Sequence, residues 1–291
     1  MIPGDIRSAL EASLDLTVKD AHTVAGGDIN QAARVTLYDG EALFLKWNRA
    51  APADFFESEA HGLRTLAAAG AIRVPAVLAV GSSPAFLALE WIEAAHGAFD
   101  RDRFAERFGQ AMAALHRHTA PEHGLERDNY IGSIPQINTP SPSWVAFYRD
   151  RRIGMQMQFA RERGRLPRER EELLTQLQAR LETLLDDDAM PPALTHGDLW
   201  GGNYMLAPGG EPALIDPAVY YGHRETDLAM TELFGGFPPR FYAAYHEAYP
   251  LDPGYEERRE LYQLYHILNH MNLFGGGYGS RADSIARRYV R

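Results

Sequence analysis

Between Leu194 and Asp227 the chain carries Leu-Thr-His196-Gly197-Asp198-Leu-Trp200-Gly-Gly-Asn203 and, thirteen residues beyond Asn203, the aspartate of Leu-Ile-Asp216-Pro. Two short apolar runs, 203–206 and 213–215, flank the turn-forming stretch Ala-Pro208-Gly209-Gly210-Glu-Pro212, so the segment reads as two short strands joined by a loop. Such a hairpin sets Asn203 and Asp216 side by side, with Asp198 just upstream. Phosphoryl transfer needs a similar set: one carboxylate to accept the proton of an attacking hydroxyl, and further oxygens to hold Mg²⁺ against a triphosphate.

The five-residue step from Asp198 to Asn203 equals that of the protein-kinase catalytic loop, where the aspartate takes the substrate proton and the asparagine holds a metal. His196 stands where that motif has its histidine, and is read as structural. Either piece alone would be a common polar turn. Together, in this order and spacing, they point to a kinase-like site with Asp198 as base and Asn203 and Asp216 as Mg²⁺ ligands.

A site of that kind also needs a phosphate-covering loop and a lysine paired with a helical glutamate. The segment 34–38, the Asp39-Gly40 turn and 41–47 read as a hairpin ending in Leu43-Phe44-Leu45-Lys46-Trp47. A lysine in so apolar a strand needs an anionic partner. In the helix that follows, Asp54 and Glu57 have capping-box spacing. Glu59 instead shares the apolar stripe of Phe55, Phe56, Leu63 and Leu66, so it is expected to pair with Lys46 and aim it at the nucleotide phosphates. Ahead of the hairpin, Ala25-Gly26-Gly27-Asp28-Ile29-Asn30 can form a turn whose backbone N–H groups face phosphate oxygens. Segments 74–81 and 85–93 read as two more strands, and adenine would lie against the second, at Glu90 and Ile92. From Arg103 onward Phe104, Phe108, Met112 and Leu115 recur at helical spacing. The expected fold is α+β and bilobal, protein-kinase-like: residues 1–93 form a small antiparallel sheet lobe with one helix, and residues 94–291 a larger, mainly helical lobe.

Composition excludes other classes. The net charge of −10 is unlike that of a general nucleic-acid binder. No apolar run approaches a membrane span and no signal peptide is visible, so a cytoplasmic setting is expected. The absence of cysteine rules out disulfides and thiolate metal sites. The charge mildly favours amine-bearing substrates, though solubility explains it equally well. Oligomeric state is open.

The chain resembles the fructosamine kinases, or ketosamine-3-kinases, within the aminoglycoside-phosphotransferase-like kinases. The resemblance covers nearly the whole length. It rests on Gly26-Gly27-Asp-Ile-Asn30, Phe56-Glu-Ser-Glu59-Ala-His-Gly-Leu63, the segment 128–138, the loop 196–203, Asp216-Pro-Ala-Val-Tyr220-Tyr221-Gly-His223-Arg224-Glu-Thr-Asp227, Leu233-Phe-Gly-Gly-Phe237 and the segment 261–270. The catalytic loop is shared with aminoglycoside, choline and homoserine kinases; the segments after Asp216 are more particular to this branch.

The resemblance implies ATP- and Mg²⁺-dependent phosphorylation of the sugar 3-hydroxyl of small-molecule ketosamines or glycated protein lysines. Phosphorylation there makes the adduct labile, so the amine is released and the molecule repaired. It also implies that Asp227 braces the catalytic loop through backbone hydrogen bonds. Trp200 could offer an aromatic face to the sugar or its amine, or could pack in the core. Tyr220, Tyr221, His223 and Arg224 could line the acceptor pocket. Some members carry a cysteine where this chain has Asp28, so the redox sensitivity it confers has no counterpart here; an aspartate there should point away from the phosphates. Other hydroxylated amines, such as an aminoglycoside or choline, stay open as acceptors, and the preferred sugar is open too.

Overall fold

The computed structural model describes residues 2–24, 29–95, 97, 99–185 and 191–290. Its N-terminal part is a five-stranded antiparallel sheet. Helix α1 (Gly4–Leu14) precedes β1 (Val18–Thr23), β2 (Gln31–Leu37), β3 (Ala42–Trp47), α2 (Phe55–Ala69), β4 (Val77–Ser82) and β5 (Ala85–Glu90), and the strand order is β1-β2-β3-β5-β4. The expected hairpin is present, with Gln31 opposite Trp47 and Thr36 opposite Ala42. Gly40 turns it at φ +93°, while Asp39 Oδ1 accepts the Glu41 N–H at 3.0 Å.

Two-residue periodicity sorts the side chains of β3 and β5 between the two faces. Leu43, Leu45 and Trp47 pack with Phe86 and Ala88 against Ile6 and Leu10 of α1. Ala85, Leu87 and Leu89 face the other way, onto Phe56, Leu63 and Leu66 of α2. Lys46, out of phase with Leu45 and Trp47, therefore points to the α2 side, where Glu59 lies. Full burial of each large side chain contributes about 1.5–3 kcal/mol, so both helices are firmly seated. The expectation of a single helix in this part is corrected by α1, whose Ile6 and Leu10 supply the second apolar cover. The capping box is corrected as well. Asp54 accepts the Tyr130 hydroxyl at 2.8 Å and Glu57 takes Arg64 at 3.2 Å, leaving neither on the helix N-terminus.

Helix α3 (Arg101–Leu115) begins the mainly helical remainder, capped by Asp100, whose carboxylate accepts the Arg103 N–H at 3.0 Å. It packs against α8 (Pro239–Ala248) so closely that a Cβ on Gly109 would lie 2.3 Å from the Phe241 carbonyl oxygen. Between these helices come a hairpin of β6 (Asn129–Ile131) and β7 (Ile134–Gln136), helices α4 (Trp144–Phe147), α5 (Met155–Glu162) and α6 (Arg168–Leu184), strands β8 (Ala193–Thr195), β9 (Tyr204–Ala207), β10 (Glu211–Leu214) and β11 (Tyr220–Gly222), and helix α7 (Glu225–Leu233). Helices α9 (Tyr255–Phe274) and α10 (Tyr278–Val290) close the chain. Phe241, Tyr245, Tyr262 and Tyr265 are buried, so the aromatic content of the last helices is largely core. No described helix is long and apolar enough to cross a membrane.

Candidate active site

Strand β8 pairs with β11, Thr195 opposite Tyr220, and the chain leaves β8 directly into the His196–Asn203 loop. Gly197 takes φ +82°, and a Cβ there would sit 2.0 Å from the Ala218 carbonyl oxygen, so only glycine fits. Asp227, at the first turn of α7, accepts the backbone N–H groups of His196 at 2.7 Å and Gly197 at 2.9 Å, and its Oδ2 lies 3.1 Å from His116 Nε2. Burial acts to raise the Asp227 pKa, but the His116 and His196 contacts outweigh it and hold the carboxyl below its usual range. His196 donates Nε2–H to the Ile215 carbonyl at 2.9 Å and accepts the Asp198 N–H on Nδ1 at 3.2 Å. Its burial lowers its pKa, so it is a neutral strut between the two halves of the motif.

The hairpin read from the sequence forms as β9 and β10, Tyr204 opposite Leu214, one residue later at its start and slightly earlier at its end than the apolar runs suggest. The Ile215 N–H closes on the Asn203 carbonyl at 3.0 Å, which brings Asn203 and Asp216 together at its foot. Asn203 Nδ2 donates to the Asp198 carbonyl oxygen at 2.8 Å and to Asp198 Oδ2 at 3.1 Å, which leaves Asn203 Oδ1 unused by either bond. Burial, with smaller contributions from Asp216 and Asp227 and opposition from the Asn203 hydrogen bond, pushes the Asp198 pKa up to about 7. Asp216 adopts φ +53°, a left-handed conformation that is strained for a non-glycine residue.

Across the cleft, Lys46 Nζ lies 2.8 Å from Glu59 Oε1 and also pairs with Asp216. Burial alone would drive the lysine toward neutrality; the two carboxylates reverse this and raise its pKa. Burial raises the Glu59 pKa against the pull of Lys46. The pairing is the one expected from Glu59 on the apolar stripe.

Lys46, Glu59, Asp198, Asn203 and Asp216 all line one cavity of about 600 Å³. Ile29, Asn30 and Ala32 line it on the sheet side; Trp200, Phe234, His270, Phe274 and Tyr278 form an aromatic wall on the helical side. Chemically, the arrangement offers a carboxylate poised to take a proton near neutral pH, oxygen ligands for a hard cation and a fixed ammonium for an anion.

Gly26, Gly27 and Asp28 lie outside the described residues. Glu90 is engaged with Arg73 at 2.7 Å and the Ala76 N–H at 3.1 Å, and Ile92 is buried with Ala207 and Ala213; neither lines the cavity. Trp200 is 41% exposed and stands at 75° to Phe234, so it is a wall residue rather than core.

The acceptor-pocket expectation for Tyr220, Tyr221, His223 and Arg224 is corrected. The Tyr220 ring lies buried under the Arg152 guanidinium at 4.0 Å, and the Tyr220 hydroxyl donates to Thr226. The backbone of Tyr221 pairs with Gly124. His223 packs on Trp144 and Tyr262, and Arg224 donates to the Tyr249 and Pro250 carbonyls. Pairing of β11 with β8 carries Tyr220, His223 and Arg224 into the core, while Tyr221 is half-buried; none of the four lines the cavity. Sequence reasoning gave no role to Phe234, His270, Phe274, Tyr278 or Tyr130. Tyr130, Phe234 and His270 fall in segments that carry the family resemblance, which was the available signal.

A fructosamine kinase family profile matches residues 5–291. A protein described as a probable ketoamine kinase of Synechocystis sp. is 44% identical over 279 residues, covering 94% of this chain and 91% of its own. A chloroplastic protein-ribulosamine 3-kinase of Oryza sativa is 39% identical over 277 residues, covering 92% and 78%. A crystal structure provisionally assigned as a fructosamine-3-kinase of Thermobifida fusca superposes with a TM-score of 0.89 at 34% identity, covering 100% of both chains.

Proposed function

The chain belongs to the fructosamine kinase family, and from that premise we propose that it is an ATP-dependent ketosamine 3-kinase, transferring the γ-phosphoryl group to the sugar 3-hydroxyl of a glycated amine or lysine. Its architecture is that of the protein-kinase-like phosphotransferases, and we place the boundary between the sheet part and the helical part near residue 94. The observation that carries the proposal is the gathering of Asp198, Asn203, Asp216 and the Lys46–Glu59 pair around one cavity.

Asp198 takes the proton of the attacking hydroxyl on a carboxylate oxygen. Its environment keeps the pKa near the working pH, where a general base is most effective. Asn203 Oδ1 and the Asp216 carboxylate are hard oxygen donors on adjacent feet of one hairpin, a set that fits Mg²⁺. When bound, that ion would neutralise charge on the nucleotide phosphates. Lys46, held by Glu59, supplies a fixed positive charge for the same phosphates, and Ile29 and Asn30 belong to the loop that covers them. His196 and Asp227 hold the catalytic loop without touching substrate. Trp200 offers an aromatic face to the sugar or its amine. Phosphorylation at the 3-hydroxyl makes the adduct labile and frees the parent amine, which gives the reaction a repair role.

The test is ATP consumption with Mg²⁺ against ribuloselysine, fructoselysine, an aminoglycoside set and choline, with mass spectrometry locating the added phosphate. Phosphate on the ketosamine 3-hydroxyl is the expected result and would rank the sugars. Turnover only with an aminoglycoside or choline would keep the phosphotransfer chemistry and remove the repair role.

A further inference from the structure

Helix α9 presents one imidazole to the cavity and another to Asp198. His270 lines the cavity and donates Nδ1–H to the His266 carbonyl at 2.8 Å. His266, one turn earlier, is 2% exposed, and its Nδ1 is buried without a hydrogen-bond partner among the described residues. That nitrogen lies 3.9 Å from Asp198 Oδ1. The other carboxylate oxygen, Oδ2, is the one that receives Asn203 Nδ2. Asp198 is thus tied by one oxygen and faces an unpaired nitrogen with the other.

An unpaired buried nitrogen destabilises a fold, so its presence beside a reacting group calls for a role. Two lone pairs facing each other would repel, which favours the tautomer with its proton on Nδ1. Burial, the largest cause, lowers the His266 pKa to about 3, so the ring is a neutral donor and too weak a base to take a proton from Asp198.

We infer that His266 is a positioning residue for the phosphotransfer base: its Nδ1–H closes onto Asp198 Oδ1 when the acceptor enters, fixing the carboxylate so that the sugar hydroxyl meets an oriented lone pair. A rotation of the Asp198 side chain of about 1 Å brings the pair within hydrogen-bond range. The inference rests on Asp198 being the base. It assigns to α9 a part in the chemistry as well as in the cavity wall.

The experiment compares wild type, His266→Leu, His266→Asn and Asp198→Asn as full-length protein, with Mg·ATP and ribuloselysine. His266→Leu removes the donor together with a destabilising orphan atom, so kcat is expected to fall at least tenfold while KM for ATP stays within twofold and Tm is unchanged or higher. His266→Asn can place its amide N–H where Nδ1 stands and is expected to recover kcat to within about threefold of wild type. Asp198→Asn must be inactive; if it turns over, the assignment of the base fails. If Asp198→Asn is inactive but His266→Leu keeps kcat within twofold, the positioning role alone is overturned. Loss of kcat in both His266 variants, with or without a fall in Tm, also overturns it.

Discussion

The Asp227 carboxylate accepts the backbone N–H of His196 at 2.7 Å, and through that bond a residue of α7 fixes the loop that carries Asp198. Gly197 and His116 complete the grip. Asp227→Asn turns acceptors into an amide facing N–H donors, and is expected to cost about 2–3 kcal/mol of stability and most of the turnover. The Asp227 pKa is lower folded than unfolded, so its stabilisation is present above the unfolded value, about 3.9, and is lost as pH falls through the folded value. Thermal melts of the two proteins should therefore converge toward low pH; a constant gap down to pH 3 would contradict this.

Gly197→Ala is expected to abolish activity and lower stability by at least 3 kcal/mol, since the new Cβ meets the Ala218 carbonyl at 2.0 Å at a positive φ. Gly201→Ala in the same loop meets nothing within 4 Å and is the matched control. Equal melting temperatures for the two variants would show the loop to be more pliant than its packing indicates.

Asp198→Ala should bind Mg·ATP and turn over negligibly, whereas Asp216→Ala should weaken metal-dependent nucleotide binding at least tenfold. Isothermal titration alongside steady-state kinetics separates the two effects. Retention of near wild-type turnover by Asp198→Ala would remove it as the base.

With the Asp198 pKa at about 7, and the ionised form required of a base, kcat/KM is expected to rise with pH through about 7 and level off above it. Initial rates from pH 5.5 to 9 test this. A profile already level at pH 5.5 would mean that Asp198 is ionised far more easily than its burial implies.

Glu59→Gln leaves Lys46 with Asp216 alone, so the ammonium is drawn toward Asp216 and away from its position beside Glu59, where it is proposed to meet the nucleotide phosphates. KM for ATP is expected to rise about tenfold, with the ketosamine KM changed little. The reverse pattern would place Glu59 with the acceptor.

Much of the site was written locally. Lys46 and Glu59 could be paired because a strand alternates faces every residue and a helix returns to the same face every three or four, so phase alone put both charges on buried faces. Asp198, Asn203 and Asp216 came from turn chemistry within about twenty consecutive positions. Helix α1 went unread because only Ile6 and Leu10 are fully buried in it, which makes a thin apolar stripe.

Sequence by itself determined the hairpin that joins Asn203 to Asp216, the lysine strand and its glutamate helix, because those features depend on backbone propensity and periodicity over short spans. Only the tertiary structure decided that Trp200, Phe234, His270, Phe274 and Tyr278 share a wall, that Tyr220, His223 and Arg224 turn into the core, and that His266 faces Asp198. The physical reason is that the side a residue presents to solvent or cavity is set by which distant elements cover the other side. Here β11 is laid against β8, and His266 of α9 reaches Asp198 from sixty-eight residues away along the chain.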